Sequence, residues 1–371
     1  MIPMVNLARQ YQSIRREIDA AVGRVLRSGR YVLGEEVERF EEEFATYCGV
    51  KYAVGVASGT DALELALRAK GIGPGDKVIV PAFTFVSTAE AVVNVGATPV
   101  FCDVREDTFT IDPVDVVRIM EEESGVRAII PVHLYGLMAD TATIMRVAQV
   151  VQGDVAVIED VAQAVGAEEG GYRAGSLGDA GCFSFFPTKI LGAAGDGGMV
   201  VTDDADVAAA VRTLRQHGAN PKYHHELLGR NSRLDEIQAA ILRVKLRHLN
   251  DWLRKRREIA AEYDRRLANV DGIMLPYRPL ERRHSYYLYT LRICGGRLRR
   301  AAFVEHLASR GVEARVYYPE PLHSQPVFAR NKRVCPTATA LSKEVVSIPL
   351  YPELRRAEQE RVINAIRTFR K

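Results

Sequence analysis

Four segments place side chains that could do chemistry where predicted strands or loops end. In the first, residues 57–63, Ser58, Gly59 and Thr60 lie where a strand gives way to a helix. The free N–H groups and dipole of a helix N-terminus attract anions, and glycine permits close approach. The two hydroxyls add further donors. The segment therefore predicts a phosphate site, although Thr60 is also typical of an ordinary helix N-cap.

The second segment contains a carboxylate and an amide. A buried apolar strand, residues 155–159, runs directly into Asp160. A carboxylate in such surroundings is costly unless it meets a cation, and a protonated ring nitrogen would be a suitable partner. Gln163 follows about one helical turn later, where it can hydrogen-bond a neighbouring ligand atom. A helix N-cap at Asp160 is the alternative that the residues leave open.

The third segment centres on Lys189, in the otherwise apolar and glycine-flanked residues 183–192. Desolvation lowers the pKa of a lysine and makes it an imine-forming nucleophile. Ser184 is a further phosphate donor, and the glycine-rich residues 192–198 leave room for a ligand. Taken alone, the segment is more simply explained as a turn with an exposed lysine.

The fourth segment, residues 229–240, is a polar loop that leads into a helix with an acidic first turn. Helix capping by Asn231 or Ser232 explains it most simply. Together the four segments supply a phosphate cradle, a carboxylate for a pyridinium, a lysine for an imine and an extra polar loop. A pyridoxal phosphate (PLP) site needs these parts.

A sheet must position these segments. Between about residues 50 and 205, β-branched runs alternate with helical patterns, which predicts βαβ units and a mostly parallel sheet sandwiched by helices. Such sheets bind ligands beyond the carboxyl ends of their strands, so functional residues should follow strands. The predicted strands are 52–56, 77–80, 98–103, 127–132, 155–159, 181–185 and 198–202.

The last third of the chain has a different pattern of predicted secondary structure. Long helices are predicted at 206–216, 234–249 and 251–267. After Gly272 the pattern indicates a small α+β domain, with strands at 286–293 and 312–318 and helices at 298–310 and 353–370. We therefore predict a large PLP-binding domain over residues 1–245 and a small C-terminal domain over residues 246–371.

Composition excludes several classes of function. The 371 residues include 50 Lys and Arg and 47 Asp and Glu, a net charge of +3, which gives no case for nucleic acid as the main ligand. The basic run at 254–257 is better explained as a solvated helix face, because Glu258 and Glu262 follow it.

Other patterns bear on location. No window approaches a membrane span, and the N-terminus lacks the pattern of a signal peptide. The five cysteines are scattered without a C-x-x-C pair, which favours a reducing compartment over a disulfide scaffold or a structural zinc site. We expect a cytoplasmic protein without a membrane partner or a metal site.

Several motifs in register resemble the DegT/DnrJ/EryC1/StrS family, the sugar aminotransferases of the fold-type-I PLP enzymes. The resemblance runs nearly end to end, from residues 29–34 through 81–88 and the four segments above to 317–323. It implies the α/β fold of those enzymes and a homodimer with shared active sites.

The resemblance also implies roles for individual residues. Lys189 matches the Schiff-base lysine, and Asp160 matches the carboxylate on the pyridine nitrogen. Gln163 matches the amide near the ring hydroxyl, and Phe85 the aromatic side chain that stacks on the ring. Gly59, Thr60 and Ser184 match phosphate ligands, and Ser58 lies directly before Gly59 as a further cofactor-binding candidate.

Four further positions concern the partner subunit and the substrate. Asn231 matches a phosphate ligand that the neighbouring subunit donates. Arg233, Tyr318 and His323 fall where the family handles the nucleotide-sugar diphosphate or the sugar.

The activity implied is transfer of an amino group from glutamate or glutamine to a nucleotide-linked keto-sugar. Residues 222–225, followed by Gly-x-Asn-Ser-Arg-Leu-Asp, favour members that aminate C3 over those that aminate C4. Two alternatives remain. One is a non-catalytic or regulatory protein with this fold. The other is a nucleotide-sugar binding or oxidoreductase module, which the missing G-x-G-x-x-G after the first strand disfavours.

Overall fold

A seven-stranded sheet organises the first part of the chain. The computed structural model describes residues 1–219, 223–331 and 333–369. Its strands are β1 (Tyr52–Val56), β2 (Lys77–Pro81), β3 (Thr98–Cys102), β4 (Val126–Ile129), β5 (Ala156–Asp160), β8 (Ala180–Ser184) and β9 (Gly198–Thr202). They lie side by side in the order β1-β9-β8-β5-β4-β2-β3.

Six of these strands run in one direction. The pairs β2–β3, β2–β4, β4–β5 and β5–β8 are parallel, and β9 lies antiparallel between β8 and β1. The mostly parallel sheet is confirmed. Because six carboxyl ends meet at one edge, the segments that follow β1, β2, β5 and β8 converge there.

Helices cover both faces of the sheet, as predicted. On one face α3 (Gly59–Ala69), α4 (Ser87–Asn94) and α7 (Ala205–Leu214) bury a large apolar cluster. On the other face lie α2 (Glu35–Cys48), α5 (Pro113–Glu122), α6 (Thr141–Val151) and the start of α8 (Glu236–Leu267). The N-terminal α1 (Leu7–Ser28) packs on α8.

The C-terminal part forms its own apolar cluster around a small antiparallel sheet. The sheet has the order β10 (Ile273–Met274), β12 (Tyr289–Ile293) and β13 (Val345–Ile348), packed against α9 (Gly296–Ser309) and α11 (Arg356–Arg367), with α10 (Pro336–Glu344) preceding β13. A second small sheet joins β6 (Glu168–Glu169), β7 (Tyr172–Arg173) and β11 (Arg282–Arg283). The domain boundary at 245/246 stays a prediction, and it falls inside α8.

Three sequence predictions need correction here. The two helices predicted at 234–249 and 251–267 are one helix of 32 residues, because Asn250 is exposed and one asparagine costs too little to end a helix. The strand predicted at 312–318 is reduced to isolated bridges from Val312 to Ile2 and from Arg315 to Ser347. The last predicted helix is shorter at both ends, and Arg370 lies outside the described residues.

Helix α8 is long, but it is not a membrane span. Within the described ranges, none of the helices is both long and apolar enough to cross a bilayer.

Candidate active site

A cavity of about 520 Å³ opens at the carboxyl edge of the large sheet. It brings together nine of the twelve residues proposed from sequence, contributed by the ends of β1, β5 and β8, the start of α4 and the C-terminal part. They are Ser58, Gly59, Thr60, Phe85, Asp160, Gln163, Ser184, Lys189 and Tyr318.

The start of α3 forms one wall of the cavity. Ser58, rather than Thr60, is the N-cap, and its hydroxyl accepts from the backbone N–H of Asp61 at 3.1 Å. Thr60 donates its hydroxyl to Ser87 at 3.0 Å. A Cβ placed on Gly59 would lie 2.7 Å from the Cβ of Ser184, so only glycine lets these backbones approach. This wall offers the N–H groups and hydroxyls that hold an anion.

Asp160 is a buried carboxylate at the end of β5. Its Oδ2 accepts from the Thr88 hydroxyl at 2.9 Å, and its Oδ1 accepts from the backbone N–H of Ala162 at 3.1 Å. Burial raises the pKa of the Asp160 carboxyl, while these two bonds and the nearby Lys189 oppose the rise. The N-cap interpretation is wrong, because no helix begins at Asp160. A cationic ligand would offset its burial.

Gln163 is fixed at both ends of its amide. Its Oε1 accepts from the backbone N–H of Tyr135 at 2.9 Å, and its Nε2 donates to the hydroxyl of Tyr318 at 3.0 Å. The Tyr318 ring lies 6.0 Å from the ring of Phe85, which is 53% exposed. Phe85 therefore offers a free aromatic face at the mouth of the cavity.

Lys189 lies in a turn, as its segment suggested, and it lines the cavity. Its backbone N–H donates to the carbonyl of Phe186 at 2.8 Å. Its Nζ lies 4.7 Å from the centroid of the Tyr287 ring. The amine thus meets an aromatic face on one side and the interior of the cavity on the other.

Three proposed residues do not line this cavity. Asn231 is exposed and belongs to a bridge with Gln216, and Arg233 is partly exposed. Capping does not explain the loop either, because Asp235 is the N-cap of α8 and the Ser232 hydroxyl donates to Asp61 at 2.7 Å.

His323 lies on a short turn attached to the chain just after β2. The neighbouring Leu322 donates its N–H to the carbonyl of Ala82 at 2.8 Å. The Nε2 of His323 lies 3.4 Å from the Thr339 hydroxyl, and its Nδ1 is buried without a hydrogen-bond partner. Burial lowers the pKa of His323.

Among the cavity residues that sequence reasoning missed, Thr88 contacts Asp160 and Tyr287 contacts Lys189. Thr88 lies in a motif that contributed to the family resemblance, three residues after Phe85. Its backbone N–H donates to the Phe85 carbonyl at 3.2 Å, so the two residues share one turn, and this spacing could have identified it. Tyr287 carries no local signal, because the whole of α8 lies between it and Lys189 in the chain.

A comparison with protein families identifies the family of this chain. The model of the DegT/DnrJ/EryC1/StrS aminotransferase family matches residues 12–367. The chain belongs to this family. As a member of the DegT/DnrJ/EryC1/StrS aminotransferases it is a PLP-dependent enzyme.

Two relatives align over nearly the whole chain. The UDP-N-acetyl-3-dehydro-alpha-D-glucosamine 3-aminotransferase of Acidithiobacillus ferrooxidans is 46% identical and covers 99% of this chain and 97% of its own. A protein of Geobacillus stearothermophilus described as a pleiotropic regulatory protein is 44% identical, covering 99% of this chain and 98% of its own.

Solved structures share the fold. DesV of Streptomyces venezuelae, in complex with a ketimine intermediate, is 44% identical with a TM-score of 0.94, covering 99% of this chain and 97% of its own. NtdA of Bacillus subtilis, with bound cofactor PMP, is 30% identical with a TM-score of 0.90, covering 98% of this chain and 84% of its own.

The residues present fit PLP on their own chemistry. The Gly59–Ser184 approach leaves a cradle that a single Cβ would fill, which suits a phosphate. Asp160 is a buried carboxylate that lacks a cation at hydrogen-bonding distance within the described part of the chain, which suits a protonated ring nitrogen.

Proposed function

We propose that this enzyme transfers an amino group from glutamate or glutamine to a nucleotide-linked keto-sugar, at C3 rather than C4. The observation that carries the proposal is the single cavity that Lys189, Asp160, Gln163 and the Gly59–Ser184 cradle line together. An aminotransferase needs an amine, a carboxylate and a phosphate anchor at fixed relative positions.

The phosphate cradle would hold the cofactor in place. Ser58, Gly59 and Thr60 present the first turn of α3, and Ser184 adds a hydroxyl from the end of β8. Phe85 would cover one face of the ring. The amide of Gln163, held by Tyr135 and Tyr318, would meet the ring hydroxyl.

Asp160 would keep the ring nitrogen protonated. Its burial disfavours a bare carboxylate, so a charged N–H partner lowers its free energy. Thr88 and Ala162 hold the carboxylate in one orientation. When bound, PLP supplies the electron sink that allows a C–H bond at the amino-bearing carbon to break.

Lys189 would have two roles. Its amine would first hold the cofactor and would then transfer a proton. In this structure the Nζ amine lies at the cavity wall beside Tyr287. From there it would carry the proton between the donor's α-carbon and C4′ of the cofactor. The same group then serves both halves of the reaction.

The acceptor is inferred from relatives and from the cavity. The Acidithiobacillus relative is a 3-aminotransferase of a UDP-linked 3-dehydro sugar, which supports C3. Residues 222–225 support the same choice by sequence, although Lys222 lies outside the described residues. Tyr318, beside Gln163, is the substrate residue proposed from sequence that lines the cavity.

We also propose that the active enzyme is a homodimer with shared sites. Asn231 is exposed and does not line its own chain's cavity, so it is available to a partner's phosphate. Nearby, Leu227 and Leu228 are 48% and 90% exposed, an apolar surface that a second copy would cover.

A regulatory role is the second candidate, favoured by the name of the Geobacillus relative. Lys189 and Asp160 together argue against it, because a protein that only binds needs neither an amine at the cofactor nor a buried carboxylate on its ring.

The test is a panel of UDP- and dTDP-linked 3-keto and 4-keto sugars, each with glutamate or glutamine, scored by the mass of the aminated product. We expect aminated product from 3-keto sugars and much less from 4-keto sugars. Product from none of them, with the protein loaded with PLP, would support the regulatory candidate.

A further inference from the structure

Helix α8 carries buried polar side chains that the proposed reaction does not use. Lys245 is 8% exposed, and its Nζ donates to the carbonyl of Gly192 at 2.5 Å. No carboxylate in the described ranges lies within salt-bridge distance of this ammonium. A buried, unpaired cation is costly, so its presence here calls for a reason.

Gly192 closes the loop that carries Lys189. A Cβ on Gly192 would lie 2.3 Å from the carbonyl oxygen of Pro187, so residues 187–192 form a tight turn. The backbone N–H of Ala193 donates to Phe185 at 2.7 Å on the sheet side. The Gly192 carbonyl accepts a hydrogen bond from the Lys245 ammonium of α8.

A second α8 side chain holds the same loop. The Oε1 of Gln238 accepts from the backbone N–H of Ala194 at 2.8 Å. Gln238 and Lys245 are seven residues apart, about two turns at 3.6 residues per turn, so they lie on one face of α8. The loop is therefore bound at two points by one rigid element.

The same face of α8 also holds the aromatic neighbour of Lys189. Arg256 lies eleven residues beyond Lys245, about three turns further. Its Nη1 donates to the carbonyls of Tyr286 at 3.0 Å, Tyr287 at 3.4 Å and Leu350 at 3.1 Å. The basic run at 254–257 is thus not wholly a solvated face, because Arg256 is 4% exposed.

We infer that Lys245 and Gln238 are positioning residues that set the place of the Lys189 amine against the Tyr287 ring and the cavity. The reasoning is that α8 fixes the lysine loop through Gln238 and Lys245 and fixes Tyr287 through Arg256. Displacing a reacting group by even about 1 Å can slow a reaction strongly. Contacts that hold the lysine loop in place would therefore favour the reaction. The inference rests on the proposed role of Lys189.

The experiment compares Lys245→Met with wild type and with Lys255→Met, a control on the exposed side of α8. Each protein is loaded with PLP, and the cofactor's absorbance is followed against pH. We expect the midpoint of the absorbance change to move in Lys245→Met alone. We also expect kcat to fall about tenfold or more with the sugar's KM nearly unchanged.

Stability separates positioning from a merely structural role. Lys245→Met removes an unpaired buried cation but also the donor to the Gly192 carbonyl, and these effects oppose each other, so at pH 7 the cofactor-free protein should stay close to wild type in stability. A stable Lys245→Met protein with an unchanged midpoint and kcat would overturn the inference. If that variant does not fold, Gln238→Leu decides in the same way, because it releases the same loop at Ala194.

Failure of the inference and failure of the proposed function give different results. If wild type shows no absorbance band that sodium borohydride fixes to Lys189, the proposed role of Lys189 fails. If wild type shows the band and the α8 variants match it in midpoint and kcat, only the inference fails.

Discussion

The hydroxyl of Thr88 donates to Oδ2 of Asp160 at 2.9 Å, linking the first turn of α4 to the end of β5. The bond favours the ionised carboxylate, opposing the rise in pKa that burial causes. The carboxylate, whose Oδ1 also accepts from the Ala162 N–H, lines the cavity, where the ring nitrogen of the cofactor would lie. Asp160 is thus held in both position and charge by a residue outside the four segments.

Thr88→Val should test this bond, because valine keeps the shape and removes the donor. A hydrogen bond to a charged acceptor contributes roughly 1.5–3 kcal/mol, so kcat/KM should fall about tenfold to a hundredfold. The acid limb of its pH profile should move to higher pH, since the pKa of Asp160 rises. Thr110→Val, which breaks a threonine pair away from the cavity, is the matched control. Equal losses in both variants would assign the effect to packing.

Gly59→Ala tests the phosphate cradle. The added Cβ would lie 2.7 Å from the Cβ of Ser184, so one of two rigid backbones must move. We expect PLP affinity to fall at least about tenfold, measured by absorbance titration of the cofactor-free protein. Gly73→Ala is the control, since its nearest neighbour would be 3.6 Å away. Unchanged PLP affinity in Gly59→Ala would place the phosphate elsewhere.

Lys245 should make stability depend on pH in the alkaline range. Burial lowers its pKa from 10.5 to about 8. Between these values the unfolded chain keeps a proton that the folded protein has lost, so the free energy of unfolding rises with pH. The shift corresponds to about 3 kcal/mol at most, and the neutral amine can still donate to Gly192.

Urea unfolding of wild type and Lys245→Met across this window isolates the effect. Glu353, whose charge favours the Lys245 ammonium, is present in both proteins, so the comparison leaves the change at Lys245 itself. The difference in unfolding free energy should therefore grow in favour of wild type from pH 8 to 10.5. A constant difference would mean that Lys245 titrates as an ordinary exposed lysine.

The shared site can be tested by mixing two inactive variants, Lys189→Ala and Asn231→Asp. The new carboxylate should repel the partner's cofactor phosphate. A mixed dimer has one site with both defects and one with neither, so activity should return to about half of wild type per dimer. Confirmed subunit exchange with no recovery would mean that Asn231 serves its own chain's site.

Local patterns predicted the sheet and part of the cavity, because chemistry follows strand ends in a parallel sheet. Asp160 and Ser184 end β5 and β8, and Ser58 follows β1, so each could be placed from a few neighbouring residues. The role of Lys189 could be assigned only from the family resemblance, because its own segment is equally typical of an ordinary turn.

Long-range packing is what the sequence did not reveal. The charge of Arg256 suggested solvent, yet three backbone carbonyls from two distant segments enclose it. Asn250 suggested a helix end, yet packing on both sides carries α8 through it. Tyr287 contacts Lys189 although the whole of α8 lies between them in the chain. Such contacts depend on tertiary structure rather than on spacing.

Reduction of the PLP-loaded protein with sodium borohydride, followed by peptide mapping, tests the central claim most directly. Two lysines are candidates for the imine with the cofactor. Lys245 is one because burial lowers its pKa to about 8, and Lys189 is the other because it lines the cavity. Lys245 lies behind the loop, with its Nζ bound to Gly192. We predict reduced cofactor on the peptide that contains Lys189, and none on that peptide in Lys189→Ala. Cofactor fixed to Lys245, or to no peptide, would contradict the account.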